Sequence, residues 1–364
     1  MKVLFFIHSL SSGGAERVLS LLANDWQAQG HEISIAIESS NIFYDIDKSI
    51  KIIDASIEQK GFAKQITGNV NRILKFKNIM TQVDPDIVIS FMTTMCIKAT
   101  IAAKLAKKPI ILSEHTNFYF MQSKIWRAFR RMIYPLSNTL VVLTSHDKQK
   151  YSFHSNVNVI ENPLALSHKH QKIERKNIIL AVGRLTNVKG FDLLLKAFSQ
   201  LENAKGWKLL ILGEGPDKSL LEELASDLNI SDQVLIPGAT SDVEKHYKQA
   251  SIFVLSSRME GFPVSLCEAM GYGCPSVAFD CLTGPSDIIK HDHNGLLIEA
   301  GNTDMLSASI QDLIDNQDKR ELLSKNAVTI TKRLDIKTIS NNWFEVITKT
   351  LNKNHSETQH VVTK

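Results

Sequence analysis

Twice along this chain, short apolar runs of strand length alternate with amphipathic helical patterns, and each series opens with a strand that enters a helix through glycines. That rhythm leaves few folds open, because short apolar strands joined by helices pack as parallel sheets covered on both faces. In the first half, strands are predicted at Lys2–Ile7, Glu32–Ile37, Ile87–Ser90, Ile110–Leu112 and Thr139–Leu143, with helices at Ala15–Gln29, ended by Gly30, and Ile97–Leu105. In the second, strands at Ile178–Val182, Trp207–Leu212 and Gln233–Ile236 alternate with helices at Phe191–Leu201, Ser219–Leu228 and Val243–Gln249. A length of 364 residues suits two domains of this kind. The fold class is therefore α/β with two parallel-sheet domains, 1–165 and 166–335, joined across the polar stretch from Asn162-Pro163 to Arg175. The polar end, 352–364, predicts no ordered structure.

No apolar run approaches the roughly 18 residues that span a bilayer, and Val3–Ile7 suits a first strand better than a signal peptide. Cys96, Cys267, Cys274 and Cys281 form no C-x-x-C pair, so buried thiols in a reduced, cytoplasmic protein are expected. Residues 1–165 hold 19 Lys/Arg against 13 Asp/Glu, and the remainder 23 against 25. The basic front half points to an acidic partner, a phospholipid surface or a diphosphate-bearing acceptor; nucleic-acid motifs are lacking.

The most specific chemistry lies in Glu260-Gly-Phe-Pro-Val-Ser-Leu-Cys-Glu268. Pro263 suits the first helical position, which puts Glu260 in the loop before a helix and Glu268 inside it. Between them lie free N–H groups of a first turn, which attract phosphate oxygens. A ligand with hydroxyls at both ends and a diphosphate in the middle, such as a nucleotide-sugar, satisfies this arrangement. The buried run Ser251–Ser256 before it, and Gly271–Phe279 after it, complete a βαβ unit.

Three glycine loops follow strands. Gly13-Gly14-Ala-Glu-Arg17 aims a helix start at an anion; it is not G-x-G-x-x-G, which disfavours a dinucleotide oxidoreductase. In Gly183-Arg184 to Lys189-Gly190, Arg184 and Lys189 flank the turn and suit a diphosphate, the first as a fork and the second as a point charge. Gly213-Glu-Gly215-Pro216 is read as lining the base or ribose end. His291-Asp-His293 resembles a metal fragment, but Asn294-Gly295 makes it a turn, and His146, His154, His168 and His170 carry no pattern.

Assembled, these residues resemble the retaining glycosyltransferases of family 4. The carriers are Gly13-Gly14, Gly183-Arg184 with Lys189, Gly213-Glu-Gly215-Pro216, the Glu260/Glu268 pair, Gly284-Pro285-Ser-Asp-Ile-Ile289 and Ser113-Glu114-His115-Thr-Asn117. The chain looks most like bacterial enzymes that extend capsule, exopolysaccharide or lipid-linked oligosaccharides. The resemblance implies the GT-B fold, two facing Rossmann-like domains with a cleft between them that closes as a hinge. A C-terminal helix near 336–351, with Trp343 and Phe344, packs back on the first domain. Glu268 would hold the donor ribose and Glu260 face the donor sugar. Arg184 and Lys189 would neutralise the leaving diphosphate, with backbone N–H groups at Gly14 and Val264–Ser265. The donor site is thus Gly13, Gly14, Gly183, Arg184, Lys189, Gly213, Gly215, Gly261, Phe262, Pro263, Val264, Ser265 and Glu268, and the catalytic set His115, Glu260, Arg184 and Lys189. His115 would polarise a donor hydroxyl or position the acceptor, and Glu114 would only orient a neighbouring loop. No metal or other cofactor is expected, since two cations and helix dipoles serve instead.

The activity implied is transfer of a hexose or N-acetylhexosamine from a nucleotide-sugar, UDP-linked in the resembled group, to a saccharide acceptor on polyprenyl diphosphate. Departure of the diphosphate and same-face attack by the acceptor hydroxyl would retain configuration. An epimerase or hydrolase of the same fold, and a catalytically silent binding partner, are the rivals. Finally, Gln122–Tyr134 carries Ile125, Trp126, Phe129, Met132 and Ile133 on one helical face and Lys124, Arg127, Arg130 and Arg131 on the other flank, and Arg72–Lys77 adds a second basic stretch. Such a helix fits either an ordinary sheet-packed role or peripheral attachment to the cytoplasmic face of an anionic inner membrane, where such an acceptor resides.

Overall fold

A computed structural model describes residues 1–11, 13–57, 64–166, 174–202, 204–240 and 242–362. Ser12 of the first glycine loop, His168 and His170, much of the polar joint, and residues 363–364 lie outside the described residues. Two compact units form, one from Met1–Pro163 with Asp335–Lys364, the other from Leu164–Leu334.

The first unit runs β1 (Lys2–Ile7), α1 (Gly14–Ala28), β2 (Glu32–Ile37), β3 (Lys51–Asp54), α2 (Lys64–Val83), β4 (Ile87–Phe91), α3 (Thr93–Ala106), β5 (Ile110–Ser113), α4 (Lys124–Ile133), β6 (Thr139–Val142), α5 (Ser145–Lys150) and β7 (Val157–Val159). Its seven strands are parallel in the order β3-β2-β1-β4-β5-β6-β7. The order reverses between β1 and β4, which makes the carboxyl edge there a switch point where open α/β sheets hold ligands. Burial of β1, β4 and β5 on both faces explains their unbroken apolar runs.

The second unit runs β8 (Lys176–Val182), α6 (Phe191–Ser199), β9 (Lys208–Leu212), α7 (Lys218–Asp227), β10 (Val234–Gly238), α8 (Val243–Gln249), β11 (Ala250–Leu255), α9 (Val264–Gly271), β12 (Ser276–Asp280), α10 (Pro285–Ile288), β13 (Leu296–Glu299), α11 (Thr303–Asp315), α12 (Gln317–Ala327) and α13 (Ile330–Arg333). Its six parallel strands are ordered β10-β9-β8-β11-β12-β13, with the switch point between β8 and β11. Leu209, Ile211, Ile252 and Phe279 sit in its core with Phe198 and Leu313 from the covering helices.

The last helix, α14 (Ile336–Val362), belongs to the first unit. It lays Trp343 and Phe344 on Trp26 of α1, with ring centroids 6.3 and 5.0 Å apart, and Ser340 Oγ accepts from Trp26 Nε1 at 3.1 Å. The helix continues past Leu351 through the segment expected to lack order, because no proline or glycine between 352 and 362 stops it.

Candidate functional site

In the second unit, the loops after β8 and β11 are tied together by backbone. Gly190 holds a φ of +63°, and a Cβ there would sit 2.0 Å from the Ser256 carbonyl. Glycine therefore lets the two loops touch. Arg258 N donates to Val188 O at 2.8 Å, Ser256 Oγ to Lys189 O at 3.0 Å, and the Arg258 guanidinium forks onto Asp192 with two 2.7 Å bonds. Neither Arg258 nor Asp192 stood out in the sequence, where they lie far apart.

This lashing brings two predicted residues together. Lys189 Nζ donates to Glu260 Oε1 at 2.7 Å, and Ser257 Oγ donates to the same oxygen at 2.6 Å. Thr283 donates to the Glu260 carbonyl. Glu260 is buried, and the stem of Lys189 runs over Gly183. Arg184, next along the loop, is exposed. On α9, Glu268 accepts from the Tyr247 hydroxyl at 3.1 Å, a partner from α8 that the sequence did not suggest.

Two details differ from expectation. Pro263 caps α9 from outside and Val264 is the first helical residue, since the Pro263 carbonyl already accepts from Cys267 N at 3.2 Å. Of the two N–H groups assigned to an anion, that of Val264 turns back onto Phe262 O at 2.9 Å, whereas that of Ser265 has no backbone acceptor among the described residues. Gly213 and Gly215 also meet a packing requirement: a Cβ at either would overlap the carbonyl of Gly183 or Leu185, at 1.8 and 2.2 Å. Phe262 is buried, and a Cβ at Gly284 would overlap the Pro263 ring at 2.6 Å. His291-Asp-His293 is a turn, as its neighbours suggest.

In the first unit, His115 follows β5 at the carboxyl edge. Its ring stacks on Phe91 at 4.9 Å, and Nε2 meets Ser113 Oγ at 2.9 Å. Nδ1 is buried with no hydrogen-bond partner among the described residues. Desolvation pushes the imidazole down to about 3, so it is neutral near pH 7. Glu114, its neighbour in sequence, is buried: Thr93 on α3 donates to it at 3.0 Å and Tyr134 donates from the turn after α4. Burial raises its carboxyl above the usual range. Gly13 caps α1, its carbonyl accepts from the Tyr44 hydroxyl at 3.1 Å, and the space where Gly14 would carry a Cβ is open.

On α4 the flanks differ from the sequence pattern. Arg130 is not a surface cation: it is 3% exposed, with its guanidinium 4.0 Å from the Phe118 ring centroid, and it donates to Phe118 O and the Tyr151 hydroxyl. Trp126 and Ile133 pack against the core. Ile125, Phe129 and Met132 face out, beside exposed Lys124, Arg127 and Arg131. Among the described residues no helix is long and apolar enough to cross a membrane.

The family profile described as Glycosyl transferases group 1 matches residues 165–329, and that of Glycosyltransferase Family 4 matches 12–167. The chain is 32% identical over 363 residues to the Campylobacter jejuni enzyme named GalNAc-alpha-(1->4)-GalNAc-alpha-(1->3)-diNAcBac-PP-undecaprenol alpha-1,4-N-acetyl-D-galactosaminyltransferase, covering 97% of this chain and 99% of that one. It is 28% identical to the amylovoran biosynthesis glycosyltransferase AmsD of Erwinia amylovora, over 90% and 93% of the two chains. Among solved structures, the lipopolysaccharide outer core galactosyltransferase WaaB in its apo form superposes with a TM-score of 0.79 at 22% identity, covering 96% of this chain and 99% of that one. HepE of Anabaena in complex with UDP gives 0.79 at 16% identity, covering 96% and 100%. Those likenesses carry the GT-B fold, with its two parallel-sheet units. A profile match in each half, together with a relative above 30% identity along nearly the whole length, establishes that the chain belongs to the family 4, group 1 glycosyltransferases.

Proposed function

We propose that this glycosyltransferase moves a hexose or N-acetylhexosamine from a UDP-linked donor to a saccharide carried on polyprenyl diphosphate, with retention of configuration and without a metal. The Lys189–Glu260 pair at the β8/β11 switch point, with Arg184 exposed beside it, is the observation that carries this reading. Strand ends at a switch point hold the ligand, and here they offer two cations for a diphosphate and a fixed carboxylate for sugar hydroxyls.

As the donor bond lengthens, negative charge grows on the diphosphate, where Arg184 and Lys189 stabilise it. Glu268, oriented by Tyr247, suits the ribose hydroxyls. The acceptor hydroxyl attacks on the face the diphosphate leaves, and its proton passes to a phosphate oxygen. The acceptor class rests on the undecaprenol-linked oligosaccharide that the Campylobacter relative's name carries. It agrees with the outward face of α4, where Ile125, Phe129 and Met132 dip into a headgroup layer while Lys124, Arg127 and Arg131 meet anionic lipid. On this reading the enzyme works as a peripheral protein on the cytoplasmic face of the bacterial inner membrane.

The test is calorimetric titration of UDP, GDP, ADP and NAD into the wild type and Arg184→Ala with EDTA present, followed by a panel of UDP-sugars and polyprenyl-diphosphate saccharides. Selective UDP binding that collapses in the variant supports the reading. Binding of NAD with no response to UDP or GDP refutes it.

A further inference from the structure

The carboxyl edge of the first sheet holds a histidine that the donor chemistry does not use. In the parallel register, Ile7 of β1 lies opposite Ile37 of β2, so the next residues in each strand, His8 and Glu38, leave the sheet side by side. Glu38 N and Ser39 N both donate to the His8 carbonyl at 3.0 Å, which fixes the start of the His8 side chain. Its ring remains 70% exposed, while Nδ1 meets Glu38 Oε2 at 3.0 Å.

Glu38 itself is held hard. Lys98 Nζ donates to its two oxygens at 2.9 and 3.2 Å, and Arg72 Nε lies 3.2 Å from Oε1. Burial opposes the charge of Glu38, but the Lys98 bond, the bond from His8 and the nearby Arg72 outweigh it and keep the carboxyl below its usual range. An ionised carboxylate can only accept, so the proton between them belongs to Nδ1, and the tautomer this contact selects has Nε2 as the acceptor of the exposed ring. This exposed acceptor stands at the end of β1, the strand that borders the switch point, in the unit whose edge also carries His115.

We propose that His8 Nε2 accepts a hydrogen bond from a hydroxyl of the acceptor saccharide, with Glu38 as the positioning residue that sets its tautomer. The inference rests on the transferase reading, in which the second unit's switch point is taken by the donor and the first unit's edge is left for the other substrate.

The experiment uses the full-length enzyme with the first donor and polyprenyl-diphosphate saccharide pair on which the wild type turns over, and compares His8→Ala, His8→Gln and Glu38→Gln after checking their melting curves. Removing one neutral hydrogen bond raises the acceptor KM about 3- to 10-fold in His8→Ala. Donor KM, and hydrolysis of the UDP-sugar without acceptor, stay within about twofold. His8→Gln, whose amide oxygen reaches the place of Nε2, restores the acceptor KM. Glu38→Gln raises the acceptor KM without changing donor hydrolysis. An unchanged acceptor KM in His8→Ala, or an equal rise for donor and acceptor, overturns this inference alone. Absence of transfer by the wild type across the whole panel overturns the transferase reading and this inference with it.

Discussion

Replacing Lys189 with Met removes the partner of a carboxylate that is only 7% exposed, while keeping an apolar stem over Gly183. Breaking a fully buried ion pair from one side costs about 3–5 kcal/mol, because the remaining charge is stranded. Lys189 retains 24% exposure, and Ser257 still donates to the same oxygen, which lowers the expected cost to about 2–3 kcal/mol. In a unit of this size each kcal/mol moves the melting midpoint by roughly 2–4 °C, so Lys189→Met should melt about 4–12 °C lower. Adding Glu260→Gln removes the stranded charge. Exchanging both partners for neutral groups is close to neutral, and the double variant should recover to within about 3 °C of wild type. UDP binding follows a different rule, since neither substitution returns a cation to the diphosphate. Loss of one charge-assisted bond of about 1.5–3 kcal/mol weakens UDP roughly 10- to 150-fold in the single and the double variant alike, measured by calorimetry. Wild-type melting in Lys189→Met would mean that the ion pair contributes nothing to folding. Wild-type UDP affinity in the double variant would make Lys189 a structural partner and not a phosphate ligand.

Three further outcomes are expected. The unfolded chain protonates a histidine near its ordinary 6.5, whereas folded His115 resists protonation down to about 3, so stability is full above 6.5 and falls as pH drops through that window. The His115 contribution lost between pH 7 and pH 5 is about 1–2 kcal/mol, read as the difference in urea midpoints between wild type and His115→Phe. Trp343 is buried against Trp26, and Trp343→Ala should cost about 3–5 kcal/mol in urea unfolding of the first unit. Arg127→Gln with Arg131→Gln should weaken flotation on anionic vesicles about 30-fold, at about 1 kcal/mol per charge; Arg130→Met should leave flotation unchanged and lower the melting temperature instead.

The doubly covered strands were legible because burial on both faces leaves an unbroken apolar run, as in Val3–Ile7 and Ser251–Leu255. Edge strands were not: β3 is mostly exposed, so no apolar pattern marks it, and β7 has only three residues. Helix α2 escaped for another reason. Arg72, Lys75 and Lys77 interrupt it with charge, yet Ile73, Phe76, Met80 and Val83 recur at helical spacing on its core-facing side, so the signal was present. At the site, Glu260, Pro263 and Glu268 could be read because loop and helix are continuous in sequence. Which cation meets which carboxylate could not, since Lys189 and Glu260 lie 71 positions apart and meet only through the adjacency of β8 and β11. His8 and Glu38 are the same case in the other unit, invisible until the register of β1 on β2 is known.

Helix α4 marks where periodicity alone runs out. Positions 125, 129 and 132 share one stripe and 126 and 133 another, turned by about 100° for one residue at 3.6 per turn. A sequence containing both stripes is apolar over more than one face, and a sheet can cover only one. Arg130 decides which: its guanidinium stacks on Phe118 and bonds that residue's carbonyl, which anchors the helix with Trp126 and Ile133 inward. Once that cation is spent inside, Ile125, Phe129 and Met132 have to face out, and the basic side chains left around them are those that suit an anionic surface. A buried arginine thus marks which of the two apolar stripes packs inward and which faces out, a distinction that composition could not make.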